Sequence, residues 1–206
     1  MANEIIILGL GCFWGPEAWI GAMPGVVYTT AGLAGGASGQ PTYRQPGDHS
    51  ETVQIVYDET VLPLERLLEQ FWRRHRPAAI NGYREERRYR SLILCQHTEQ
   101  LEHALELQKV DDERAETMIR LDQTFYPVEG RHQKYYLQRQ PDVLEQLVDG
   151  DNSWVAALST TLAARLNGWC RKETTAEHIH QELDRWCEPL PLAVRQRYER
   201  LLAELE

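Results

Sequence analysis

The chain has 206 residues, 42% hydrophobic and 26% charged, with 22 basic and 31 acidic side chains and a formal charge of −9. This composition excludes a disordered chain, which lacks the apolar groups for a core, and a general nucleic-acid binder, which needs a clustered basic face. Four cysteines, Cys12, Cys95, Cys170 and Cys187, are too few for a disulfide scaffold at this length.

The N-terminus carries no basic n-region, and no apolar run is long enough for a signal h-region or a membrane span. The expectation is a cytoplasmic protein whose thiols stay reduced. Ile5 to Leu8 is a short apolar run ending at Gly9 and Gly11, which suits a buried strand entering a tight turn. Phe13 to Met23 takes helical spacing and stops at Pro24-Gly25. Val26 to Ala31 reads as a strand, residues 32–47 as a loop rich in Gly and Pro, and Glu51 to Asp58 as a strand. Leu64, Leu67, Leu68, Phe71 and Trp72 mark an amphipathic helix over 63–75. Tyr89 to Cys95 is a further strand, followed by a long polar helix over 98–116. Phe125 to Tyr136 starts irregular and aromatic and then turns helical. Three helical patterns without strand character close the chain, near 154–167, 174–186 and 190–205. The division expected is a mixed α and β unit over 1–147 and a helical extension over 148–206.

Residues 61–100 hold eight bases against five acids, including Arg73, Arg74, Arg76, Arg84, Arg87, Arg88 and Arg90. They form either a solvated face or a cationic rim near a site that handles anions or a thiolate. No Cys-x-x-Cys, zinc-type spacing or phosphate-binding loop occurs.

The most informative stretch is Gly11-Cys12-Phe13-Trp14-Gly15-Pro16-Glu17. It places a cysteine between a strand and a helix start, where free N–H groups and the helix dipole favour a thiolate. Two aromatics follow it directly. A nucleophilic sulfur beside aromatic rings suits a substrate with a small apolar end and a reactive polar atom. The competing reading is a buried cysteine among core aromatics.

This stretch resembles the signature of the A-type methionine sulfoxide reductases, and further matches follow in order. They are Pro24-Gly25-Val26, Gly32-x-x-Gly35-Gly36, Pro41-Thr42-Tyr43, His49-x-Glu51, Phe71-Trp72-x-x-His75-x-Pro77, Tyr89-Arg90-Ser91, and Phe125 with Glu129 and His132-Gln133-x-Tyr135. The resemblance covers about residues 5–141. It implies an α+β fold, a ferredoxin-like two-layer sandwich with a mixed sheet, here with the C-terminal all-helical extension.

It also implies roles. Cys12 would attack the sulfoxide sulfur and become a sulfenic acid. Glu51 would supply the acid, Tyr43 and Tyr89 would hold the sulfoxide oxygen, and Phe13 and Trp14 would wall the methyl pocket. No bound cofactor or metal is implied, only an external thiol reductant of the thioredoxin type. Cys170 is the expected resolving cysteine, on a segment opened by an Asn167-Gly168 turn, with Cys187 as alternate or recycling thiol. Cys95 is expected in the core.

The chain departs from the family between 76 and 88. Arg76 and Arg84 stand where the family has Asp, which predicts a more cationic pocket and a depressed Cys12 pKa. Two alternatives stay open beside the reductase: a noncatalytic sulfoxide- or methionine-binding module, and a reductase of a different small sulfoxide.

Overall fold

The computed structural model describes residues 3–81, 89–121, 123–147, 157–187 and 190–205. In chain order the elements are β1 (Asn3–Leu10), α1 (Trp14–Gly21), β2 (Val26–Ala34), β3 (Ser50–Asp58), α2 (Leu64–Arg73), α3 (Pro77–Ile80), β4 (Ser91–Cys95), α4 (Thr98–Gln108), β5 (Met118–Leu121) and β6 (Tyr126–Pro127). Then come α5 (Pro141–Leu147), α6 (Thr161–Trp169), α7 (Ala176–Cys187) and α8 (Leu192–Leu205). The sheet order is β5-β4-β1-β3-β2-β6, antiparallel except for the parallel β4–β5 pair. The central β4-β1-β3-β2 block, with α1 joining β1 to β2 and α2 between β3 and β4, is the expected ferredoxin-like arrangement in a mixed sheet.

Alternation along the strands decides which face is core. Ile6, Leu8 and Leu10 of β1, Val53, Ile55 and Tyr57 of β3, and Ile93 and Cys95 of β4 point to one face. There they pack with Ile20 of α1 and with Leu64, Leu67, Leu68 and Phe71 of α2. Cys95 is fully buried, as expected, and burial pushes its thiol up to about 12. Ile7, Ala34 and Leu94 point to the other face, with Phe125 against them.

A second apolar cluster lies among Leu137, Leu144 and Leu147, Leu162 and Leu166 of α6, Ile179 and Leu183 of α7, and Leu201 and Leu202 of α8. The C-terminal helices therefore share their core with residues 137–147. They also grip α1. A Cβ on Gly21 would stand 2.8 Å from the Ala164 carbonyl oxygen, and one on Gly168 would stand 2.6 Å from the Ala22 Cβ. Only small residues allow that approach. Arg165, 1% exposed, donates to the Gly21 carbonyl at 2.6 Å and to Glu182 at 3.0 Å. A cation there complements the C-terminal end of α1.

Several sequence expectations are corrected. The helix expected over 98–116 ends at Gln108. Asp111 then accepts the Glu113 N–H at 2.9 Å and caps a separate 3₁₀ turn over 112–116. β5 escaped notice because it is four residues long, lies at a sheet edge and includes the exposed Arg120. The segment after Phe125 forms 3₁₀ turns at Gly130–His132 and Leu137–Arg139 rather than a helix. Asn167-Gly168 is not a turn. Both lie inside α6, where the Asn167 side-chain oxygen Oδ1 accepts from the Tyr136 and Leu137 N–H groups at 3.0 and 3.2 Å. The helix runs to Trp169 and is closed beyond it by Lys172, whose φ of 61° makes a Schellman pair: Lys172 N–H to the Trp169 carbonyl and Glu173 N–H to the Gly168 carbonyl. No helix among the described residues is long and apolar enough to cross a membrane.

Candidate active site

Strand register assembles the site. Leu10 pairs with Ser91, and Leu8 with Val53. Continuing by two residues brings Cys12 level with Tyr89, and Glu51 level with Leu10. Cys12, Glu51 and Tyr89 also share the parity of the core-facing residues, so all three emerge on the helix side at one end of the sheet. Gly11, at φ 99°, turns the chain from β1 into α1.

Cys12 is free and reaches solvent, while protein fills most of the space around its sulfur. Its sulfur accepts from the Trp14 N–H and the Tyr89 hydroxyl, and its thiol donates to the Glu51 carboxylate. Glu51, 2% exposed, also accepts the Phe13 N–H at 3.1 Å. The expectation of a depressed Cys12 pKa is overturned: the thiol is raised above its ordinary value. Loss of water around the sulfur is the first cause and the Glu51 charge the second; the Trp14 N–H at the helix start pulls the other way but is outweighed. Arg76 is exposed, and Arg84 lies outside the described residues.

A prediction follows for the free protein. Cys12 alkylation should titrate with a midpoint above the ordinary thiol value of 9.0, and Glu51→Gln should lower that midpoint by removing the neighbouring anion. A midpoint below 8 in the unsubstituted protein would contradict the geometry.

A buried polar chain under β4 fixes Ser91, two residues after Tyr89. The Trp72 indole N–H donates to Thr117 Oγ1 at 2.9 Å, Thr117 and Ser91 hydroxyls meet at 2.9 Å, Ser91 Oγ meets His75 Nε2 at 2.8 Å, and His75 Nδ1 meets the Phe71 carbonyl at 2.7 Å. A carbonyl only accepts, so the His75 proton sits on Nδ1. The protons then run one way, from Trp72 through Thr117 and Ser91 to His75. Burial lowers the His75 pKa, which keeps the ring neutral and this direction intact. The Asn81 carbonyl oxygen fixes the Ser91 N–H at 2.8 Å.

The aromatic wall comes from three segments. Phe13, 1% exposed, forms the floor. Trp14, half-buried, stacks on Tyr135 with ring centroids 3.8 Å apart. Tyr43, on the β2–β3 loop, lies against His132 at 3.9 Å and Phe13 at 6.0 Å. His132 and Tyr135 were visible in the sequence only as matched positions; their role as wall residues was missed because the 125–136 stretch lacks a regular period. The loop bearing Tyr43 is anchored by His49, which accepts the Gly36 N–H on Nδ1 at 3.2 Å and donates from Nε2 to the Ser38 carbonyl at 2.9 Å. Gln133 completes the frame. Its side-chain amide pairs with both backbone groups of Ala31 at 2.8 Å, as a neighbouring strand would.

Glu17 and Lys134 tie α1 to this turn. Both are buried, at 0% and 1% exposure, and the Lys134 ammonium donates to Glu17 at 2.8 Å and to the Thr29 carbonyl at 2.7 Å. Glu17 also accepts the Lys134 N–H at 2.8 Å. Lys134 itself has φ 46°, a left-handed conformation costly for a side-chain-bearing residue.

Cys170 sits at the end of α6, half-buried, and burial pushes its thiol up to about 11. It lines an open cleft of about 900 Å³ with Trp169, Glu173 and His178 among others. α6 runs antiparallel to α1, with Ala164 at Gly21, Gly168 at Ala18 and Arg171 at Gly15, so its end points toward the start of α1, two residues after Cys12. The side chain of Cys187 lies outside the described residues.

The protein-family model for peptide methionine sulfoxide reductase matches residues 4–156. A Drosophila melanogaster peptide methionine sulfoxide reductase is 41% identical over 167 residues, covering 78% of this chain and 65% of that protein. The chain thus spans just under two-thirds of that relative's length. An Oryza sativa peptide methionine sulfoxide reductase A5 is 34% identical, covering 89% of this chain and 76% of its own. The solved methionine sulfoxide reductase A of Corynebacterium diphtheriae superposes with a TM-score of 0.55 at 29% identity, covering 73% of this chain and 78% of that one. On the family match over about three-quarters of its length, joined to the thiol, carboxyl and tyrosine gathered at one sheet end, this chain belongs to the peptide methionine sulfoxide reductase family.

Proposed function

We propose that the chain reduces the S-epimer of methionine sulfoxide, peptide-bound or free, to methionine. The observation that carries this reading is the Cys12 thiol hydrogen-bonded to both Tyr89 and Glu51 beside an aromatic wall. Cys12 attacks the sulfoxide sulfur, and its proton passes to Glu51. Glu51 returns a proton to the sulfoxide oxygen, held by the Tyr43 and Tyr89 hydroxyls. The protonated oxygen leaves the substrate sulfur of the sulfur–sulfur adduct as water; a solvent water then attacks the Cys12 sulfur and breaks the S–S bond, so that methionine departs, Cys12 is left as a sulfenic acid and one proton returns to solvent. A thiolate and a carboxylate in contact disfavour each other's charge, so one proton shared between Cys12 and Glu51 is the economical arrangement.

Regeneration follows by thiol exchange. Cys170 attacks the sulfenic acid, water leaves, and an external dithiol of the thioredoxin type opens the resulting disulfide. A thiol with a pKa of about 11 is ionised to about one part in ten thousand at pH 7. The turn at 169–173 must therefore move Cys170 out of its cleft before it acts. Cys187 is the alternate. We place this chemistry in a reducing compartment, the cytoplasm, and treat residues 148–206 as an extension of a catalytic unit over 1–147.

The test uses each epimer with dithiothreitol and then with thioredoxin. Selective loss of the S-epimer is expected, and loss of neither epimer would end the reading. Cys170→Ser should keep dithiothreitol-driven turnover and lose most of the thioredoxin-driven turnover. Equal thioredoxin-driven rates would remove Cys170 from the pathway.

A further inference from the structure

Two guanidinium groups flank the aromatic wall, Arg139 over Tyr135 and Arg171 beside Gly15 and Tyr136, and the chemistry above uses neither. Trp14, Tyr135 and Arg139 form one column: Tyr135 lies 3.8 Å from the Trp14 ring centroid, and the Arg139 Cζ lies 3.2 Å from the Tyr135 centroid. Arg139 is exposed and donates Nη1 to the Tyr135 carbonyl at 2.7 Å, and no carboxylate among the described residues forms an ion pair with it.

Arg171 comes from the turn after α6. Its Nη1 lies 2.7 Å from where a Gly15 Cβ would stand, so the missing side chain makes room for the guanidinium. The same Nη1 lies 3.3 Å from the Tyr136 hydroxyl, and Cζ is 5.1 Å from that ring centroid. The Glu173 carboxyl is 3.9 Å from Arg171 Nε, but it is engaged more closely by Arg74 at 2.9 Å. One acid therefore serves two cations, and Arg171, whose side chain is 38% exposed, keeps unused donors.

Gly15 lies three residues after Cys12, in the first turn of α1, so Arg171 stands beside the helix start that follows the thiol. The sulfur of methionine is separated from its own carboxylate by a span of roughly 5 Å, from standard bond lengths. Arg171 at Gly15 and Arg139, on the ring that stacks on Trp14, therefore both flank the helix start next to Cys12, on the side where a carboxylate close to the sulfoxide can meet them. Their planar donor forks match a carboxylate. In a chain of charge −9, this is a local positive rim.

The geometry points to a carboxylate-selecting rim: Arg139 and Arg171 favour sulfoxides that carry a carboxylate close to the sulfur. That carboxylate is either the α-carboxylate of free or C-terminal methionine sulfoxide, or the side chain of an adjacent acidic residue. This rests on the sulfoxide-reductase reading above.

The experiment compares N-acetyl-methionine sulfoxide, its neutral amide, and an amide-capped Asp-methionine-sulfoxide peptide. The proteins are wild type, Arg139→Gln/Arg171→Gln and Arg139→Lys/Arg171→Lys. The ratio of kcat/KM for acid over amide should be about ten at low salt, arising in KM, since one charge-assisted contact is of that order. It should fall toward one in the Gln variant and at high salt, and stay well above one in the Lys variant. A role in holding Tyr135 alone would lower all substrates together and leave the ratio unmoved. Preference for the free acid or for the Asp peptide supports the rim and identifies which carboxylate it reads. A wild-type ratio near one, or a ratio kept in the Gln variant, overturns it. Calorimetric binding of acid and amide to Cys12→Ser gives the same comparison without turnover, so failure of the reductase reading is seen separately.

Discussion

Glu51→Gln is expected to lower kcat/KM for the S-sulfoxide by about 10²–10⁴-fold, and Cys12→Ser to leave no turnover. Gln keeps the size of Glu and an oxygen to accept the Phe13 N–H, now at 3.1 Å, so the turn into α1 keeps its anchor. What Gln cannot do is take the Cys12 proton and give one to the departing oxygen. The Ser hydroxyl keeps the hydrogen bonds but is far less nucleophilic toward sulfur than a thiol. A single turnover without reductant separates the two variants: Glu51→Gln should form methionine slowly with one equivalent of sulfenic acid on Cys12, and Cys12→Ser should form none. Glu51→Gln activity within threefold of wild type, with the fold intact by circular dichroism, would remove the carboxyl from the proton path.

The site was legible in the sequence where chemistry and strand parity coincide. Glu51 shares the parity of Val53, Ile55 and Tyr57, so a strand through 51–58 that buries those three must turn Glu51 inward as well. Tyr89 and Ser91 are readable the same way from Ile93 and Cys95. The thiol's pKa was not. The sequence shows a helix start that favours a thiolate, but desolvation and the Glu51 charge depend on how closely separate segments approach, and they win. The arginines of the 73–90 block were open to two readings, a solvated face or a cationic rim. Arg74 instead pairs with Glu173 and lies over Trp19, and the guanidiniums near the aromatic wall are Arg139 and Arg171, which no local pattern distinguishes. Asn167-Gly168 misled because the pair has strong turn character. Tertiary packing overrides it, since Gly168 is the residue that lets α6 close on Ala18 and Ala22.

Removing either half of the buried Glu17–Lys134 pair should cost about 3–5 kcal/mol, because the remaining charge is left buried without its partner. For a chain of this size that is a fall in Tm on the order of 10 °C. Glu17→Gln leaves the Lys134 ammonium with the Thr29 carbonyl, and Lys134→Met leaves the Glu17 carboxylate with the Lys134 N–H position and the Thr29 hydroxyl. The double variant Glu17→Gln/Lys134→Met removes both charges and keeps the volume, so its loss should be clearly less than the sum of the single losses. The effect should also reach the site. Lys134 lies between His132 and Tyr135, and the pair fixes that turn to the helix that begins beside Cys12. With the turn released, Tyr135 loses its fixed position over Trp14 and KM for the sulfoxide should rise in each single variant, with partial recovery in the double one. Additive stability losses would show that the two charges do not act as a pair. An unchanged KM in folded single variants would show that the aromatic wall is held by its own packing instead.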